Sequence, residues 1–142
     1  MEHLLDNRVL LIALGASLVA QLIKVIIESI RHRCLKLQVF FETGGMPSSH
    51  AALVSALATG IGLTQGWDSG LFAIACVFAV IVMYDATGIR RAAGQQAQLL
   101  NQIVVEIYEN SPPDPLKELL GHTPVQVIVG AIVGIFLMWW LL

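Results

Sequence analysis

The chain has 142 residues, of which 56% are hydrophobic and only 13% charged, against roughly 25% charged in soluble domains. That excludes an ordinary water-soluble enzyme. Eight Lys and Arg against ten Asp and Glu give a net charge of −2, which leaves no basic surface for nucleic acid.

The length fits one membrane domain, 1–142. Cys34 in a polar stretch and Cys76 in an apolar one read as free thiols rather than a disulfide framework or a zinc site.

A spanning helix needs about 20 mostly apolar residues, and about four stretches qualify. The first covers 9–30 and carries Lys24 and Glu28 near its end. Its acidic start (Glu2, Asp6) and its length suit a span better than a cleaved signal. The second covers 47–65, with His50 as its ionisable group. The third, 69–89, is uncharged until Asp85, and the fourth, 123–142, ends in Trp139 and Trp140 as an interfacial belt would. Between the last two, residues 90–109 predict an amphipathic helix, stopped by Ser111-Pro-Pro-Asp-Pro115. The expected fold is therefore an all-α integral membrane bundle with one amphipathic helix at its cytoplasmic face.

Basic residues set the orientation. Arg31, Arg33, Lys36, Arg90, Arg91 and Lys117 fall in two loops on one side, and Arg8 on the other. Both basic loops are expected in the cytoplasm, with both termini outside. On this topology Lys24, Glu28, Arg31, His50, Asp85, Arg90, Arg91 and His122 all lie at the cytoplasmic face. Ionisable residues inside a membrane are costly and mark functional sites by default, although Lys24 and Glu28 also have the spacing of a simple helical ion pair.

Two helix starts each bring a histidine. Thr43-Gly-Gly-Met-Pro-Ser-Ser-His50 has Gly44 and Gly45 for a tight turn or an anion nest, then Pro47 and Ser48 for a helix start. Gly121-His-Thr-Pro-Val-Gln126 has Thr123 as N-cap, Pro124 in the first turn and Gln126 completing a capping box. Unpaired N–H groups at such starts favour anions. Two histidines beside several cations suit phosphoester chemistry: one imidazole attacks phosphorus and the other protonates the departing oxygen. Glu28, Glu42, Asp85 and Glu118 show no spacing of a metal cage, so neither metal nor other cofactor is expected.

Three motifs carry a family resemblance. Gly44-Gly-Met-Pro-Ser-Ser-His50, Tyr84-Asp-Ala-Thr-Gly-Ile-Arg-Arg-Ala-Ala-Gly94 and Leu119-Leu-Gly-His-Thr-Pro-Val-Gln126, in this order along nearly the whole chain, resemble the divergent branch of the type 2 phosphatidic acid phosphatase family. That branch is also labelled acid phosphatase/vanadium-dependent haloperoxidase-related. The parent superfamily's signature is KxxxxxxRP, PSGH and SRxxxxxHxxxD. Lys24 and Arg31 match the first motif, with His32 at its proline. Pro47 to His50 match the second, with Ser49 at its glycine. His122 matches the histidine of the third, while Leu116 stands at its arginine and Gln126 at its aspartate.

The resemblance implies a phosphoric monoester or diphosphate hydrolase with His122 as nucleophile and His50 as general acid. Lys24, Arg31 and Ser48 would bind phosphate, with Arg90 or Arg91 supplying the arginine and Asp85 or Glu118 the acid. Gln126 can accept a hydrogen bond but adds no charge, and in a Ser-His-Asp triad an amide in place of the carboxylate costs about 10⁴ in rate. The expected function is a metal-independent lipid phosphate phosphatase acting through a phosphohistidine at the cytoplasmic membrane face. The alternative is a non-catalytic membrane protein that binds an anionic headgroup or a protein partner with the same pocket. The bilayer and a lipid phosphate are the expected partners. Gly130 and Gly134, at GxxxG spacing, serve either a homodimer or packing within the chain.

Overall fold

The computed structural model describes residues 6–33, 44–107, 114–116 and 121–142. Cys34, Lys36, Glu42, Lys117, Glu118 and the start of the Pro-rich stop at 111–113 lie outside the described residues.

Five helices follow in chain order: α1 Arg8–His32, α2 Ser49–Gln65, α3 Gly70–Thr87, α4 Ile89–Ile107 and α5 Pro124–Leu141. Short polar side chains start four of them. Asn7, Ser48, Ser69 and Thr123 accept the backbone N–H of Leu10, Ala51, Phe72 and Gln126, satisfying donors that a helix start leaves open. Gly66 ends α2 at φ 93°, and Gly88 separates α3 from α4, with the Gly88 N–H bonded to the Tyr84 carbonyl at 2.9 Å.

The interior is made mostly of small residues, with Met138, Val54, Val127 and Lys24 as the larger buried side chains. On α1 the buried positions are Ala13, Ala16, Ala20 and Lys24, while Leu11, Leu14, Leu18, Leu22, Ile26 and Ile30 are exposed. Helix α3 repeats this, burying Ala75, Ala79 and Ala86, and α5 does so in part, burying Gly130 and Gly134 along with Val127 and Met138; Phe78, Ile81, Ile128 and Phe136 are outside. Large apolar side chains out and small ones in is the pattern of helices solvated by lipid, where close backbone approach drives association. A soluble monomer does not expose apolar surface on this scale.

Helix α2 is the centre of the bundle, packed on α1, α3 and α5. A Cβ on Gly130 or Gly134 would run into the backbone carbonyls of Ser48 and Ala52, and one on Gly60 would lie 2.6 Å from Val9 and 2.9 Å from the Met138 sulfur. The Gly130–Gly134 face is thus used inside the chain. These contacts also fix direction: α2 runs parallel to α5 and antiparallel to α1.

Among the described residues three helical stretches are long and apolar enough to cross a membrane: Arg8–His32, the stretch beginning at Gly70 that carries α3, and Pro124–Leu141. Sequence analysis counts α2 as a fourth. At 17 residues it is about 25 Å long, at the short end of the lengths that cross a bilayer, and it is the helix on which α1, α3 and α5 pack. Arg8 donates to the Leu141 carbonyl at 3.1 Å, so the outer ends of α1 and α5 meet at one end of the bundle. The histidines lie at the other.

Candidate functional site

Three segments build this end. The Gly44-Gly45 turn has φ 109° and 83°, values that favour glycine. The turn passes so close to α1 that a Cβ on Gly45 would sit 2.9 Å from Cδ of Lys24. Lys24 is 2% exposed, so its stem is packed against the turn. Glu28, one turn further along α1, pairs instead with His32 at 3.2 Å and with Arg31 at 4.0 Å.

The second segment is the start of α2. Ser48 is fully buried; its hydroxyl accepts the Ala51 N–H at 3.4 Å, and its own N–H donates to the Gln126 carbonyl at 3.0 Å. The two helix starts are thereby tied backbone to backbone. His50 follows in the first turn of α2, half-buried.

The third segment is Gly121 to Gln126. The His122 N–H donates to the Ala86 carbonyl at 2.9 Å, which fixes this loop to the last turn of α3. Asp85, the residue before Ala86, is half-buried. The capping box is formed: Oε1 of Gln126 accepts the Thr123 N–H at 3.0 Å, and the Gln126 N–H meets the Thr123 hydroxyl at 3.4 Å. Oε1 also lies 3.3 Å from Nδ1 of His122, and the Gly45 carbonyl lies 3.1 Å from that nitrogen.

These contacts assign the ring. Because Oε1 takes the Thr123 N–H, it is the oxygen of the amide. Both neighbours of Nδ1 are then acceptors, so Nδ1 carries the proton. In the neutral ring Nε2 keeps its lone pair. His122 is buried, and burial holds its imidazole below the ordinary value; the Gln126 and Gly45 acceptors oppose this, and the positive charges of His50 and Lys24 add to the lowering. The result is a neutral, oriented imidazole at pH 7, with its lone pair on Nε2 and with Lys24 and His50 near enough to act on it.

The structure therefore brings together Lys24, Gly45, Ser48, His50, His122 and Gln126, with Asp85 adjoining through Ala86. It does not gather Arg31, whose side chain is 75% exposed beside Glu28, or Arg91, exposed on α4. Arg90 precedes Arg91 in the first turn of α4. At the two helix starts the N–H groups of Ser48, Ala51, His122, Thr123 and Gln126 are bonded within the protein, because the starts are capped and tied together, so these five are not among the donors an anion could use. Two contributors escaped sequence reading: the Gly45 and Ala86 carbonyls. Nothing in a side-chain pattern says where a carbonyl points.

Fold and site define an all-helical membrane protein with a paired-histidine, lysine-bearing polar centre at one end of a small-residue bundle. The chain belongs to the Divergent PAP2 family, whose profile matches residues 5–137. It is 47% identical, over 148 aligned positions covering 95% of this chain and 94% of the relative, to the uncharacterized membrane protein YuiD of Bacillus subtilis strain 168. No solved structure gives a significant match.

Proposed function

We propose that the protein is a phosphatase of lipid phosphates, hydrolysing a monoester or diphosphate through a phosphohistidine on His122. The observation that carries the reading is the pair of acceptors on Nδ1 of His122, which directs the free electron pair to Nε2. Nε2 forms a bond to phosphorus as the bond from phosphorus to the leaving alkoxide breaks in line, and His50, protonated, gives its proton to that oxygen. Water then attacks the phosphohistidine; His50 takes the water's proton, the P–N bond breaks, and phosphate leaves with Nε2 restored. Lys24, and the Ser48 hydroxyl proton not used in capping, would hold the phosphoryl oxygens, where charge concentrates.

A lipid substrate follows from place. The site is at the end of a membrane bundle, where acyl or prenyl phosphates present their headgroups. Arg31 in the last turn of α1, Arg33 just after it, and Arg90 and Arg91 after α3 lie at the site end, against Arg8 at the opposite end, and this asymmetry supports a cytoplasmic site with both termini outside.

A second reading rests on Gln126. A neutral amide orients His122 and stabilises its charged form less than a carboxylate would, which suits a protein that binds an anionic headgroup without turning it over. Phosphate release from a panel of lipid phosphates by detergent-purified protein, with His122→Ala and His50→Ala in parallel, separates the two. Release that needs both histidines, and is blocked by vanadate, supports the phosphatase. Absence of release across the panel, with lipid-phosphate affinity kept in His122→Asn, supports the binder.

A further inference from the structure

Helix α4 presents an apolar face that the bundle does not cover. It buries only small residues, Gly94 and Ala97, and packs on α3. Its large apolar side chains are outside, from Ile103 at 42% exposed to Ile107 at 68%. At 100° per residue Leu99, Ile103, Ile89, Ile107 and Leu100 fall within an arc of about 100°. Arg91, Gln95, Gln98 and Gln102 occupy the opposite side, with Val105, 63% exposed, as the apolar residue among them, and Gln96 alone interrupts the apolar arc.

Three observations say what covers this face. First, α4 starts one residue after α3, beside Ala86 and His122, so it leaves the bundle at the histidine end. Second, the exposed face of α3, with Phe78, Ile81 and Tyr84, is the lipid-facing surface of a membrane helix, and Ile89, the first residue of α4, is exposed as well. Third, α4 carries Arg90 and Arg91 in its first turn and no acidic residue before Glu106, which matches anionic headgroups at that depth.

We infer that α4 is an interfacial helix, lying along the headgroup boundary of the leaflet next to the histidine site, with Leu99, Leu100, Ile103 and Ile107 in the acyl region and its Gln and Arg91 side facing water. This fits an amphipathic helix of low net hydrophobicity. The inference is independent of catalysis: it holds for a phosphatase and a binder alike.

The test uses the full chain with Cys34→Ser and Cys76→Ser, in phosphatidylcholine–phosphatidylglycerol vesicles. Single cysteines are introduced by Leu99→Cys, Leu100→Cys, Ile103→Cys and Ile107→Cys, and by Gln95→Cys, Gln98→Cys and Gln102→Cys, and carry nitroxide labels. Collision accessibility to oxygen, which partitions into lipid, and to a water-soluble nickel chelate gives the depth. The first set is expected to show an oxygen-to-nickel ratio about tenfold above the second, alternating with helical period. Nickel access on all faces would overturn the inference and place α4 in water. Shielding of the first set from both reagents would also overturn it, and would assign the face to a second copy of the chain. Depth unchanged in phosphatidylcholine alone would remove the anionic-headgroup part.

Discussion

Protonation of His122 at Nδ1 has a measurable size. The ring nitrogen lies 3.1 Å from the Gly45 carbonyl and 3.3 Å from Oε1 of Gln126, and each hydrogen bond contributes about 0.5 to 1.5 kcal/mol net. Nδ1 has one proton, which the two oxygens share, so moving it to Nε2 would lose that shared bond and turn a lone pair toward two oxygens. With the longer contact discounted, the bias is about 1 to 2 kcal/mol, a population ratio of roughly fivefold to thirtyfold. Nitrogen-15 spectra of histidine-labelled protein in micelles, assigned with His122→Gln, read this directly. At pH 7.5 or so, His122 is expected to show a protonated Nδ1 and an unprotonated Nε2. Gln126→Leu is expected to narrow the preference and Gln126→Glu to widen it. A dominant Nε2–H form in the wild type, or an imidazolium at that pH, would refute the reasoning and remove the nucleophile with it.

Other expectations follow from the same contacts. Because burial holds the folded His122 below the ordinary value of about 6.5, the unfolded chain binds more protons than the folded one between those two values. Stability therefore falls as pH drops through that window and is flat above it, and thermal midpoints in detergent for wild type and His122→Gln should diverge only on the acid side. Gly134→Ala puts a Cβ into the Ala52 carbonyl and should cost about 1 to 3 kcal/mol by overpacking. Gly15→Ala, with nothing within 4 Å of its Cβ, should be neutral or stabilising by up to about 1 kcal/mol; equal midpoints for the two variants would contradict the close α2–α5 contact. Gly45→Ala combines φ 83° with a Cβ 2.9 Å from Lys24, and should cost about 1 to 2 kcal/mol while lowering phosphate release by displacing the lysine.

Much of this fold was legible from residue patterns, for physical reasons that differ by helix. Helices α1, α3 and α5 announce themselves as apolar runs, and Ser48 and the Thr123–Gln126 box mark helix starts because few residue types can cap. What hydropathy does not reveal is which span is central. The place of α2 is written in size, since Ala51, Ala52, Ala56 and Gly60 let three neighbours approach, and an apolar count treats alanine and leucine much alike. At the site, the histidines, Lys24 and Gln126 stood out as costly groups at one membrane face. Their division of labour did not: α1 turns Lys24 inward to the Gly45 turn and Arg31 outward to Glu28, although both share one motif. That split depends on where α1 ends relative to the bundle, which spacing along the chain does not encode.

Gln126 joins two requirements in one atom. Its Oε1 caps α5 through the Thr123 N–H and orients the imidazole of His122. A glutamate could do both and would add charge, but a carboxylate there would draw a proton onto Nε2 and favour the imidazolium beside Lys24 and His50. The neutral amide keeps Nε2 unprotonated at pH 7 without that help. Gln126→Glu therefore has opposite consequences in the two readings of the site. If phosphohistidine formation limits turnover, the variant gains stabilisation of the developing positive ring, and its activity profile shifts to higher pH. If the site only binds, the variant sets a negative charge against the anion and weakens affinity for lipid phosphate. Measuring release and binding on this one protein, with its fold checked by the thermal midpoint, makes the amide at this position the discriminating residue.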